Sequence, residues 1–221
     1  MTTAISPGKT RSPLSERLDL IISPIFAAGL AILGFAVWTY SDLDKITIAI
    51  LSPDKIQRQI GETLILGLTS SILVVLIAVP VGILVTRKGY PRLKSALVNT
   101  LGLGQALPAY GLIVIFFSFM GSGIVTVILA LATFSLLPVL RNTIVGLEQV
   151  DKSVIDAARG MGLTARQILL KIELPLSVEV ILGGIRTAVV INIGFSALAF
   201  LVGGGGLGET INSGLKLDRG P

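Results

Sequence analysis

The sequence predicts an all-α integral membrane protein with five spans, and three observations predict it. Apolar residues make up 52% of the 221 positions, charged residues only 14%, and the mean hydropathy is +0.87. A soluble domain carries nearer a quarter charged residues. Several apolar runs approach the roughly twenty residues that a helix needs to cross hydrocarbon. Basic residues gather in alternate connections between those runs, as the positive-inside pattern requires. The chain has no Cys and no His, which excludes disulfides, zinc-finger-type sites, Ser-His-Asp triads and Cys nucleophiles from within it. No cofactor, no metal and no enzymatic chemistry of its own are therefore expected. The net charge of +5 suits nucleic acid or anionic lipid, and the placement of the basic residues at loop ends favours lipid topology over nucleic acid.

Taken in order, residues 1-20 read as a cytoplasmic tail whose first fifteen positions are rich in Ser, Thr, Pro and Gly. The first span is placed at Ile21–Tyr40 (21-40); no clear small-residue cleavage site follows it, so it reads as retained. Residues 41-61 read as an external amphipathic segment, with Ile46, Ile48, Ile50, Leu51 and Ile56 set against Asp42, Asp44, Lys45, Asp54 and Lys55. A structured loop leaning on its own bundle fits this segment equally well. The remaining spans are placed at Thr63–Val85, Leu97–Met120, Ile124–Leu140 and Val178–Val202. Pro80, Pro108 and Pro138 each interrupt a span, as static kinks or as hinges.

The connection 141-177 carries the most specific pattern. Ser153 stands three residues before Asp156, the spacing of a helix cap, and Ala157 and Ala158 extend a compact helix. Gly160 and Gly162 permit tight turning or close approach by another backbone. Thr164 and Gln167 repeat the capping-box spacing, and Pro175 limits the helix that follows. With this connection cytoplasmic, alternation places the N-terminus and the Arg87–Lys94 loop inside. Twelve Lys and Arg then lie inside and five outside.

Asp156-Ala157-Ala158, Gly162 and Ile172-x-Leu174-Pro175 resemble the EAA motif of ATP-binding-cassette (ABC) importer permeases, EAA-x3-G-x9-I-x-L-P, with Asp in place of the usual Glu. The resemblance implies an ABC type I importer transmembrane-domain fold over residues 62-221. It makes Asp156, Ala157, Ala158, Gly160, Gly162, Ile172, Leu174 and Pro175 the element that docks on a cytoplasmic ATPase. It also implies two ABC ATPase subunits that bind ATP and Mg, a second permease subunit of the same or a homologous chain, and a substrate-binding protein or domain. The setting it implies is a prokaryotic inner (cytoplasmic) membrane. In that family another span follows the Gly208–Leu217 region, so the resemblance carries the expectation of a truncated chain or a five-span variant.

Polar groups within the spans are few: Glu62, Asn99, Gln105, Asn142, Arg186 and Asn192 need partners or water. Gln105 beside Pro108 and Asn192 beside Gly194 are the candidates for a translocation path, with interhelical packing as the alternative. Arg186 reads as lying near the cytoplasmic start of its span, placed to snorkel. Gly203, Gly204, Gly205, Gly206 and Gly208 contain a formal GxGxxG match. No strand precedes it and the sequence holds no acid about twenty positions on, so a tight gate turn fits better than a dinucleotide site.

Leu137 to Thr143, Glu173 to Leu176, Gly184 to Ala188 and Ile191 to Gly194, followed by the glycine run, look like permeases for glycine betaine, carnitine, choline and related osmoprotectants. Methionine importers share the EAA and glycine-rich elements and are less similar around Arg141-Asn142-Thr143 and Arg186-Thr187-Ala188. A stand-alone channel or secondary transporter is the reading from another class. The aromatic residues show no spacing from which a quaternary-ammonium cage can be read.

Overall fold

A computed structural model describes residues 22, 24–26, 28–30, 32–36, 49–87 and 91–217. The chain divides into two units, Met1–Ala49 and Ile50–Pro221. In the first unit a short apolar helical segment, Pro24–Ala36, falls inside the predicted first span. The predicted tail and residues 41–48 of segment 41-61 lie outside the described residues.

The described part of the second unit is helical, with no strand. Helix α1 runs over Pro53–Thr86, 34 residues, so the end of the predicted external segment and the second span are one helix. Pro53 opens it at a position where a missing N–H costs nothing. At about 1.5 Å per residue α1 is roughly 50 Å long and outreaches a hydrocarbon core of about 30 Å. Pro80 sits inside it without ending it.

The predicted span Leu97–Met120 is corrected. It is two helices, α2 (Pro91–Ala106) and α3 (Ala109–Met120), with a 100° bend between them. Pro108 supplies the break: it has no N–H to donate and pushes the preceding residue away from helical geometry. It stands as the extended N-cap of α3. Among the described residues three helices are long and apolar enough to cross a membrane alone, and four spans result if the bent pair counts as one. The prediction of five spans is therefore not met among the described residues.

Helix α4 (Ile124–Glu148) continues past the predicted end at Leu140 and contains Pro138. Two short helices follow, α5 (Lys152–Gly160) and α6 (Ala165–Ile168). A π turn over Leu169–Glu173 then leads directly into α7 (Leu174–Ser196). Pro175 does not stop this helix, contrary to expectation. It occupies the first turn of α7, and the wider π turn before it accommodates the ring. The predicted span Val178–Val202 accordingly begins earlier and ends at Ser196, followed by a 3₁₀ turn, Ala199–Val202. Helix α8 is Gly208–Leu217.

Helices α1, α4 and α7 form the core. Lipid tails are as apolar as leucine, so close backbone approach and hydrogen bonds hold such a bundle together. Small residues stand at each crossing. A Cβ on Gly82 of α1 would lie 2.6 Å from Thr143 Cγ2 of α4, and one on Gly67 would lie 2.6 Å from Ile193 Cγ1 of α7. Gly184 of α7 meets Asn142 and the Pro138 carbonyl of α4 in the same way. Around these crossings Val74, Ala78, Val139, Leu140 and Ala188 bury one apolar cluster, and Leu66, Ile113, Val127, Leu131 and Val202 a second.

Candidate functional site

The element from Asp151 to Pro175 projects from the end of the bundle where α1 stops at Thr86 and α4 at Glu148. Asp151, and not Ser153, caps α5: its Oδ1 accepts from the Ser153 N–H at 2.8 Å. The hydrogen bonds from Ser153 hold the Asp151 carboxyl below its ordinary pKa. The cap is fully formed above the ordinary carboxylate pKa and fades as pH falls through the lowered one. Asp156 lies mid-helix and receives a hydrogen bond from Arg159 Nη1 at 3.1 Å.

Helix α5 ends in a Schellman motif. The Leu163 N–H donates to the Ala158 carbonyl and the Gly162 N–H to the Arg159 carbonyl. Gly162 carries φ +83°, a left-handed conformation that favours glycine. Gly160 is helical and open around its Cα, so it needs no such freedom. The predicted Thr164–Gln167 capping box is present in both directions. Ala158 is buried and anchors α5, while Asp156, Ala157 and Gly160 face outward. Ile172 and Leu174 are half-buried and Pro175 is exposed.

An ion pair that sequence reasoning missed joins this element to α1. Arg87 Nη2 donates to Glu173 Oε2 at 2.8 Å, and the Glu173 side chain is 10% exposed. The signal in the sequence was one acid, Glu173, inside an apolar stretch just before Leu174-Pro175. Lys94 of α2 pairs with Glu148 of α4 at the same end. Beneath α5 an open cavity of about 800 Å³ is lined by Arg87, Glu148, Lys152, Asp156, Arg159 and Glu173 among others.

The four path candidates do not share one location. Gln105 is half-buried and donates to the Phe134 carbonyl of α4 at 3.0 Å; Pro108 is exposed at the bend. Asn192 is fully buried between three helices. With its amide turned to satisfy both ends, its nitrogen meets the Leu131 carbonyl at 3.1 Å and Ser135 Oγ at 2.9 Å, and its oxygen accepts from Ser71 Oγ at 3.0 Å. Gly194 is exposed on the other side of α7. Arg186 is exposed twelve residues into α7, in mid-helix and not near its start as the sequence suggested.

The glycine run forms a tight turn at the opposite end of the bundle. Gly205 and Gly206 have φ +75° and +89°. Glu62 Oε2 accepts from the Gly206 N–H at 2.8 Å, and Thr63 Oγ1 accepts from the Leu207 N–H at 3.1 Å. A Cβ on Gly205 would lie 2.6 Å from Glu62 Oε2, and one on Gly208 would collide with the Ala197 carbonyl. Gln59 extends the clasp by accepting from Thr210 Oγ1 at 2.6 Å. Gly203 and Gly204 close the turn beside Ser122 and Val127.

This chain is 38% identical to the carnitine transport permease protein OpuCB of Listeria monocytogenes over 73% of each protein. It is 37% identical to the glycine betaine/carnitine/choline transport system permease protein OpuCB of Bacillus subtilis strain 168 over 71% of each. With the osmoprotectant import permease protein OsmY of Salmonella typhimurium it shares 38% identity over 72% of this chain and 67% of that one. Among solved structures, an inward-facing form of the MetNI methionine ABC transporter superimposes with a TM-score of 0.62 at 25% identity, covering 76% of this chain and 81% of that one. Residues 78–217 match the binding-protein-dependent transport system inner membrane component family, and the chain belongs to that family.

Proposed function

We propose that this chain is the membrane-spanning permease subunit of an ATP-driven type I importer that carries an osmoprotectant such as glycine betaine, carnitine or choline. The observation that carries the reading is the 37–38% identity to osmoprotectant permeases over most of both chains. The methionine transporter is similar at 25% identity, which makes methionine or another small polar nutrient the weaker substrate reading.

ATP and Mg belong to a separate ATPase subunit in this account. Helix α5 and its Schellman turn dock on that subunit through the outward residues Asp156, Ala157 and Gly160. Closure of two ATPases drives the two docking elements together. The motion passes through α6 and the π turn into α7 and, through Arg87–Glu173, into α1. Similarity to both OpuCB and OpuCD relatives supports a second permease subunit of the same or a homologous sequence. A binding protein delivers substrate at the opposite end, where the Gly203–Gly208 turn closes the path. The N-terminus and the Asp151–Pro175 element are cytoplasmic, a reading that the placement of the basic residues supports.

Substrate competition tests the reading. In vesicles holding this chain with its co-purifying ATPase and binding component, choline should compete with labelled glycine betaine and methionine should not. Competition by methionine alone would transfer the chain to the neighbouring substrate class.

A further inference from the structure

Helix α7 has two faces of different character. Ser177, Ile181, Gly184, Ala188, Asn192 and Ser196 recur at helical spacing and are buried against α1 and α4. The opposite strip, Glu179, Gly183, Arg186, Val190 and Gly194, turns away from the bundle, with all but the half-buried Gly183 exposed. Two of its members are charged. Neither Glu179 nor Arg186 has a hydrogen-bond or ion-pair partner among the described residues.

Arg186 lies about 18 Å from the start of α7 and about 15 Å from its end, at 1.5 Å per residue. Gly184, two residues away, abuts Asn142 and the Pro138 carbonyl, which stand 6 and 10 residues before the end of α4, about 9 and 15 Å along its axis. An arginine at that depth is too far from either end to reach the interface easily, and hydrocarbon offers it no hydrogen-bond acceptor. Charged side chains at mid-membrane depth face water-filled cavities or partners. The two glycines on the strip leave room for a solute beside it.

We infer that this strip of α7 lines the aqueous translocation path and that Arg186 recognises the carboxylate of zwitterionic substrates. The inference rests on the osmoprotectant reading above. A guanidinium offers a planar pair of donors that matches a carboxylate. Glycine betaine and carnitine carry one, whereas choline presents a cation and a hydroxyl that gain nothing from Arg186. Glu179 lies two turns away, about 10 Å along the axis, and offsets the positive charge of the path.

The test uses the complete transporter in vesicles, with initial ATP-driven uptake of labelled glycine betaine and of choline measured side by side and normalised to inserted chain. R186Q should lower glycine betaine uptake relative to choline by about ten-fold, the scale of a lost charged hydrogen bond. R186K, which keeps the charge without the fork, should restore part of that ratio. An equal change in both substrates, as expected if Arg186 pairs with an acid of the second permease subunit, would overturn the assignment. So would an unchanged ratio in both variants. Unmodified transporter that moves neither substrate would instead overturn the osmoprotectant reading itself.

Discussion

Arg87 at the end of α1 and Glu173 in the π turn before α7 form a 2.8 Å ion pair between residues 86 positions apart in the chain. Glu173 is nearly buried, and Arg87 Nε is itself buried without a hydrogen-bond partner. The pair therefore holds the root of the docking element against the bundle by a contact that water only partly screens. Breaking it leaves a desolvated charge behind, which costs more than the pair contributes. Because Arg87 is partly exposed, E173Q should destabilise by about 1–3 kcal/mol, toward the low side of the range for buried pairs. A double-mutant cycle with R87Q, read by thermal unfolding in detergent, should return a coupling of similar size. Additive effects would show that the pair contributes nothing.

Gly162 and Gly160 lie two residues apart in the docking element and should respond in opposite ways. Neither would meet a neighbour through a Cβ, so bulk is not the issue at either site within this chain. Gly162 sits at φ +83° and Gly160 is helical. G162A should cost about 1–3 kcal/mol of local strain, nearly as much as G162V, and lower the transport-to-ATPase ratio while insertion stays normal. G160A in the isolated subunit should be neutral or stabilising by about 0.5–1 kcal/mol. Parallel uptake, ATP hydrolysis and unfolding measurements check both.

The Gly205–Gly206 turn is clasped by Glu62 and Thr63. G205A should force a left-handed alanine and push its Cβ against the Glu62 carboxylate, at a cost of about 1–3 kcal/mol. E62Q keeps an acceptor for the Gly206 N–H and should be much milder than E62A. Hydrogen exchange at the amides of Gly206 and Leu207 reads the difference directly.

Asn192 joins α7 to Ser71 of α1 and Ser135 of α4. N192L should leave those groups partly unsatisfied and overfill a fully buried position, lowering stability by about 1–3 kcal/mol. N192A should be less severe sterically and should leave substrate preference unchanged. A shift in preference would give Asn192 the path role that its burial does not suggest.

The bundle was legible where apolar length and small-residue spacing speak for themselves, as in α1, α4 and α7. The capping box at Thr164 followed from local chemistry, which sequence carries completely. The bend at Pro108 was harder. A proline inside an apolar run reads the same whether it kinks a helix or ends one, and Pro80, Pro108 and Pro138 take different courses because their surroundings differ. Asp151 displaced Ser153 as the cap because its carboxylate takes the Ser153 N–H and its carbonyl the Val154 and Ile155 N–H groups, so the helix begins before Ser153. The Arg87–Glu173 pair and the Glu62 clasp join residues far apart in the chain, so no local pattern announces them.

The most direct measurement is the nucleotide dependence of glycine betaine uptake in sealed vesicles containing this chain, its ATPase partner and its binding component. Uptake should require hydrolysable ATP on the ATPase side and be lost in G162V although the ATPase still turns over. Uptake that proceeds without ATP, or that survives G162V at full rate, would contradict a coupled permease built around the Asp156–Pro175 element.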